Sequence, residues 1–307
     1  MKKFIIHVAC FFIITIAVIV ALVGGTIYIL SQASFKIDPS KNILIMGESL
    51  TQFGINDTIF ERGINLSQNG TAYMYTYCKL KKVLENNPHI DTVLLSFKYG
   101  LLERERGERW IMQEDILVSK MAYYISLLGK DEFLVYNDKK ILLQAILKVP
   151  IRNVYLIIKY FRRGQSNLTY KDLNIGGYLK SNKQEVQRDL KEREQLMDME
   201  YPCEEESPLQ KEYLLKIINY CRKHNVKLIL ISMPTYKPEF YGGIDKTYEY
   251  HSKHLNEIQL LDYSNFIMPD ESYYRDVLHL NYKGAEVFSN YLQENLVNDL
   301  KMLDEKE

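Results

Sequence analysis

In the stretch ILIMGESLTQFGIND, Ile43 to Asp57, an apolar run stops at Gly47 and is followed at once by Glu48 and Ser49. Far downstream, YYRDVLHLNYKG places Asp276 three residues before His279. A serine hydroxyl attacks an acyl carbon only when a base takes its proton and donors hold the developing oxyanion. An imidazole serves as that base when a carboxylate accepts from one ring nitrogen and leaves the other for the serine. Asp276 and His279, three residues apart, can project from one turn toward the same point. Each piece also has a structural use: a serine at this position caps helices, and an aspartate can cap the turn before a helix. The chemistry therefore depends on whether the fold brings the pieces together.

The elements around these residues point to an α/β domain. NILIMG from Asn42 reads as a buried parallel strand ended by glycine. GINLSQNG, Gly63 to Gly70, reads as a short second strand, and DTVLLSFKYG, Asp91 to Gly100, as a third. Between them, TAYMYTYCKLKKVLENN has helical spacing, with Met74, Cys78 and Leu80 or Val83 on one face and Lys79, Lys81 and Lys82 off it. Late in the chain, SPLQKEYLLKIINYCRKHNV carries a serine and proline helix start. It leads into the strand KLILISMPT, then the strand IQLLDYSNF (Ile258 to Phe266) and a closing helix in NYKGAEVFSNYLQENLV. Alternating strands and helices predict a doubly wound parallel sheet covered on both faces. Ser49 then sits at the C-terminal end of strand one, where such sheets bind ligands.

Taken together, these residues resemble the SGNH, or GDSL, hydrolase superfamily. Its first block is matched by Gly47, Glu48 and Ser49, with glutamate in place of the usual aspartate, and its last block by Asp276, His279 and Asn281. The resemblance implies a flavodoxin-like three-layer fold with Ser49 as nucleophile, His279 as general base and acid, and Asp276 as orienter of the imidazole. It also implies an oxyanion hole with backbone donors at Ser49 and Gly70, and no cofactor or metal. The third block departs from the pattern: where the family places an asparagine after strand three, LLSFKYGLL has Ser96, Lys98 and Tyr99. Asn69 and the Lys98 amine are the available substitutes. The resemblance covers Asn42 to Gly100 and Ser207 to Val297. It is strongest to membrane-anchored SGNH-like proteins of envelope-polymer synthesis, which implies an esterase or O-acyltransferase acting on an acylated surface glycan or polymer. A transferase outside the cytoplasm needs a membrane-bound acyl-donor partner, because no acyl coenzyme A pool exists there. The rival reading is a non-catalytic SGNH-fold protein that binds glycan or scaffolds a synthesis complex.

Composition bounds the rest. The 307 residues, 47% of them hydrophobic, suffice for one large domain or two small ones, and 39 basic against 39 acidic residues exclude a bulk electrostatic partner such as nucleic acid. From Phe4 to Leu30 the only ionisable side chains are His7, Cys10 and Tyr28, so the segment can cross a bilayer. Lys2 and Lys3 ahead of it place the N-terminus in the cytoplasm and the remainder outside. A cleaved signal peptide ending at Ser31 to Ala33 and a lipoprotein through Cys10 are the alternatives, and the length of the apolar run favours an anchor. The expected organisation is an anchor over 1–33 and an extracytoplasmic domain over 34–307, tethered by a polar stretch from Ser31 to Lys41. A helical insertion occupies about 101–206, where strand alternation fails.

Within the insertion, Ile141 to Arg163 is apolar with basic residues at its end and Pro150 in the middle, which predicts a kinked helical hairpin on the sheet edge. A cap over the active site, or a face resting on the membrane through Lys159, Arg162 and Arg163, are the functional alternatives. Lys180 to Glu206 reads as a solvated charged helix or loop, and NIGGY, Asn174 to Tyr178, as a turn. Cys78, Cys203 and Cys221 form no disulfide or zinc pattern, and His251 with His254 lacks a third metal ligand.

Overall fold

The computed structural model describes residues 1–162, 168–197, 205–236 and 244–304. In chain order the elements begin with α1 (Lys2–Ser31), β1 (Ile43–Met46), α2 (Ser49–Gly54), β2 (Gly63–Asn65), α3 (Tyr73–Asn86) and β3 (Thr92–Ser96). Six helices follow: α4 (Arg104–Met112), α5 (Glu114–Tyr124), α6 (Lys130–Val135), α7 (Lys139–Leu147), α8 (Val149–Arg152) and α9 (Val154–Arg162). The chain then runs through α10 (Val186–Met197), α11 (Pro208–Lys223), β4 (Lys227–Ser232), α12 (Ile244–His254), β5 (Leu260–Asp262) and α13 (Tyr282–Asp304). Two compact units result, one of residues 1–35 with 112–174 and one of 36–111 with 175–307.

The larger unit is built on a five-stranded, all-parallel sheet in the order β2-β1-β3-β4-β5. Strand order reverses at β1, which pairs β2 on one side and β3 on the other, so the exits of β1 and β3 border the switch point. Because side chains alternate along a strand, Ile43, Ile45, Leu94, Ile229, Ile231 and Leu261 all reach one face. There they pack with Leu50 of α2 and with Phe288, Leu292 and Leu296 of α13. On the other face α3 and α11 lie against each other, with Tyr77 meeting Tyr213 and Tyr220 edge on or tilted. The start of α11 follows its sequence signal: Ser207 Oγ accepts from the Gln210 N–H, and Pro208 occupies the first turn.

Three local readings are corrected by packing. Lys79 does not leave the buried face of α3; it is fully buried, and its ammonium donates to the carbonyls of Leu66 and Ile175. Those two bonds replace the water that a lysine otherwise requires. The Ser31 to Lys41 stretch is not a plain polar tether, since Phe35 and Ile37 are buried, Ser34 pairs with Thr169, and the Ile37 N–H donates to Asn87. The charged 180–206 segment is not simply solvated either. Within α10, Val186 and Leu190 enter the apolar core of the larger unit.

The smaller unit holds α1 and α5–α9. The run 141–162 is three short helices, α7, α8 and α9, with Pro150 in the first turn of α8, where its missing N–H breaks no helical bond. Leu142, Ala145, Val149, Asn153, Leu156 and Tyr160 are buried along one stripe of the run, and Asn153 Nδ2 donates to the Ala122 carbonyl of α5. In α1 the buried residues are Thr26, Ile29 and Leu30, and α7, α8 and α9 pack against the helix. α1 is long and apolar enough to cross a membrane. Arg163 and Cys203 lie outside the described residues.

Candidate active site

The turn between β1 and α2 is set by Gly47, whose φ of +145° disfavours any other residue. A Cβ there would also lie 2.3 Å from the Cβ of Ser96. That contact brings the exits of β1 and β3 together. Glu48 then caps α2: its Oε2 accepts from the Leu50 N–H at 2.9 Å and lies 2.8 Å from Ser49 Oγ, so that it and His279 Nε2 are the two acceptors within reach of the single hydroxyl proton, while Oε1 accepts from Ser96 Oγ at 3.0 Å. The glutamate is long enough to join the cap, the neighbouring serine and the end of β3. Ser49 is the first residue of α2, so its N–H is among those that find no carbonyl within the helix.

The second half of the site is a turn just before α13. Asp276 Oδ1 accepts the backbone N–H groups of Leu278 at 2.9 Å and His279 at 3.0 Å. Its two oxygens lie 2.8 and 3.0 Å from His279 Nδ1. Burial pushes the Asp276 carboxyl up, but the His279 ring and these N–H groups outweigh it and hold the group below the usual carboxylate range. An ionised carboxylate only accepts, so the ring donates from Nδ1 and, when neutral, presents the lone pair of Nε2. Nε2 lies 2.7 Å from Ser49 Oγ. The structure therefore brings Ser49, His279 and Asp276 into one hydrogen-bonded relay.

Neighbours fix this relay from several sides. The ring of Phe53, from α2, meets the His279 ring edge on at 5.4 Å between centroids. Arg275 lies over Phe53 at 4.4 Å, with its Nε 3.4 Å from Asp276 Oδ2. From α10, Asp189 accepts the Val277 N–H at 3.1 Å, so the charged helix holds the turn in place. Asn281 is buried and plays a supporting part: its Nδ2 donates to the carbonyls of Ser272 and Tyr274, and its Oδ1 accepts from the Lys283 N–H at the start of α13. Glu48 joined to Ser96, Arg275 on Phe53, and Asp189 were not singled out by sequence reasoning. The signal available was the oversized acid of GES and the basic residue next to Asp276.

The loop after β2 carries Gly70, which has a φ of +59° and packs against Trp110. It is braced from beneath: Gln52 Oε1 accepts the Asn69 N–H at 2.7 Å, and the Gly177 N–H donates to the Ser67 carbonyl. The NIGGY glycines thus serve as backbone packing for this loop. Of the third-block residues, Ser96 is taken up by Glu48, Phe97 is buried, and the Tyr99 N–H donates to Thr247 Oγ1. Lys98 lines a cavity at the ends of β3, β4 and β5 together with Leu50, Ser232, Thr235, Tyr248 and Asp262. Leu50 directly follows Ser49, but Ser49, Asp276 and His279 are not among the residues that line this cavity. His251 and His254 sit on α12, where His251 Nε2 meets the Ile258 carbonyl at 2.7 Å and His254 stacks near Tyr250. Among the described residues no cluster of three metal-ligating side chains occurs.

A protein-family model matches residues 181–301, the segment that carries α10, Asp276 and His279. No curated protein matches by sequence. Among solved structures, the chain is similar to the crystal structure described as a "putative acylhydrolase" from Bacteroides fragilis NCTC 9343. The two are 12% identical, the match covers 86% of this chain and 88% of that one, and the TM-score is 0.36.

Proposed function

We propose that the chain is an SGNH-like serine acyl-ester hydrolase or O-acyltransferase, held in the membrane by α1 with the larger unit outside the cytoplasm. The observation that carries the reading is the relay from Ser49 Oγ through His279 to Asp276, with both contacts of the ring at 3.0 Å or less. In the proposed reaction Ser49 Oγ attacks the ester carbonyl while His279 Nε2 takes its proton. The resulting imidazolium is stabilised by the Asp276 carboxylate. The tetrahedral oxyanion meets the backbone N–H groups of Ser49 and Gly70. His279 then returns the proton to the departing alcohol, which leaves an acyl-serine. Water completes hydrolysis, or a sugar hydroxyl completes transfer, by the same steps in reverse. The substrate class we assign is an acylated envelope glycan or polymer; for transfer, a membrane-bound protein supplies the acyl group.

The non-catalytic reading keeps one specific observation in its favour. The third block, with Ser96, Lys98 and Tyr99, has no asparagine, and losing one oxyanion donor costs about 3 kcal/mol of transition-state stabilisation. An assay on a small acetyl ester separates the two readings. The wild-type chain should turn over above buffer, His279→Ala should not, and an added sugar acceptor should divert product from acetate to acetylated sugar if transfer is the activity. A wild-type chain with no turnover on any ester would favour the binding role.

A further inference from the structure

The helices α7, α8 and α9 carry two apolar stripes. One is buried within the smaller unit. The other, Leu143, Leu147, Ile151, Tyr155, Ile158 and Phe161, recurs every three or four residues and therefore lies along one face. It is uncovered: Ile151 is 75% exposed, Tyr155 72% and Phe161 70%. Isolated exposed apolar residues are ordinary, but a continuous stripe over three helices marks a contact surface. The same run, Lys139 to Arg162, contains six basic residues and no acidic one.

What covers this stripe follows from the helix beside it. α1 has 30 residues, and a hydrocarbon core of about 30 Å takes up roughly 20 of them at about 1.5 Å per residue. Counted from Phe4, the span leaves the hydrocarbon at about Gly24, and the buried residues Thr26, Ile29 and Leu30 come directly after it. α7, α8 and α9 all pack against α1, whose buried residues are confined to this last part. With α1 as the span, the helices that carry the uncovered stripe are held against the anchor helix, whose buried end lies just past the hydrocarbon. Apolar side chains flanked by lysine and arginine suit the boundary between acyl chains and headgroups.

We propose that α7, α8 and α9 form a foot that lies in the outer interface of the bilayer, with the 143–161 stripe in contact with lipid. The foot would fix the smaller unit against the membrane at two places, the span and the interfacial face, so that it does not swivel freely on α1. This rests on the proposed reading of α1 as a membrane span and stands independently of the acyl-transfer chemistry.

The test uses the full chain, one copy per nanodisc, in phosphatidylcholine and phosphatidylglycerol. Trp110 is the chain's only tryptophan, so wild type supplies the baseline for the reporters Ile151→Trp and Phe161→Trp. With brominated acyl chains, both reporters should lose about half or more of their added emission, because a foot buried by about 5–10 Å reaches the brominated region. Iodide in the buffer should quench them little. Quenching by iodide without quenching by bromolipid would leave the stripe in water and overturn the proposal. Protection from both quenchers would mean that protein covers the stripe, which overturns it equally.

Discussion

At the residue scale, Asp276 carries the most specific consequence. Its carboxylate fixes the ring so that Nε2 faces Ser49, and Asp276→Asn removes the charge while keeping the shape. In acyl transfer by this relay the substitution should lower turnover by about 10⁴-fold. It should also change how stability depends on pH. The folded-state pKa of Asp276 is depressed, so its contribution is complete above the ordinary carboxylate value of about 3.9 and is lost as pH falls through the lower folded value. The melting-temperature gap between wild type and Asp276→Asn should therefore be largest near neutral pH and should close as the solution is acidified below that range. A gap that stays constant with pH would show that the carboxylate charge contributes nothing to the fold. Glu48 makes a different prediction. Its carboxylate caps α2 and ties Ser96, so Glu48→Ala should cost about 1–2 kcal/mol of unfolding free energy, read from denaturant midpoints. Unchanged midpoints would mean that water replaces the cap at no cost.

At the element scale, the site depends on two strand exits and one turn. The exit of β1 requires Gly47: alanine there would meet Ser96 Cβ at 2.3 Å and take a φ of +145°. Gly47→Ala should cost roughly 2 kcal/mol or more, and a melting temperature equal to wild type would contradict this account of the turn. The exit of β2 rests on Lys79, whose ammonium holds the Leu66 and Ile175 carbonyls. Lys79→Met keeps the stem but abandons both acceptors, so it should destabilise by about 3 kcal/mol, measured by urea unfolding. No change would show that these bonds are worth no more than those to water. Sequence reading finds some of this and misses the rest for physical reasons. The strands are legible because parallel strands buried on both faces are continuous apolar runs ended by glycine or polar residues. The α11 start is legible from Ser207 and Pro208. Lys79 is not legible, because periodicity assigns a lysine to water and only the fold supplies two carbonyls. The charged α10 is legible only in part: it is a helix with Gln187, Arg188, Lys191 and Glu192 exposed, as a charged segment implies, but the sequence does not show that Val186 and Leu190 enter the core or that Asp189 accepts the Val277 N–H.

At the scale of the whole molecule, the chain joins an apolar helix and a helical unit to a parallel-sheet unit, with 112–174 placed in sequence between β3 and β4. The sheet order puts Ser49 and Ser96 at the switch point, and α13 closes the domain just after His279. The residues that the sequence singles out for chemistry, Ser49, Asp276 and His279, are the ones the fold draws into contact across 230 positions. Their pairing is legible because serine, carboxylate and imidazole in this order match a known pattern, whereas Arg275 and Phe53 match none. If α1 is a membrane anchor with Lys2 and Lys3 in the cytoplasm, protease added to intact spheroplasts should digest the chain beyond Ser34. Full protection, alongside digestion of a known outer domain, would reverse the orientation.

The central claim is that Ser49 is an activated nucleophile, and a serine-directed fluorophosphonate tests it most directly, since the probe bonds only to a hydroxyl made reactive by its base. The purified full chain should be labelled, with the adduct mapped to Ser49 and lost in Ser49→Ala and His279→Ala. Absence of labelling in the folded wild-type chain, or labelling that persists undiminished in Ser49→Ala, would contradict the account.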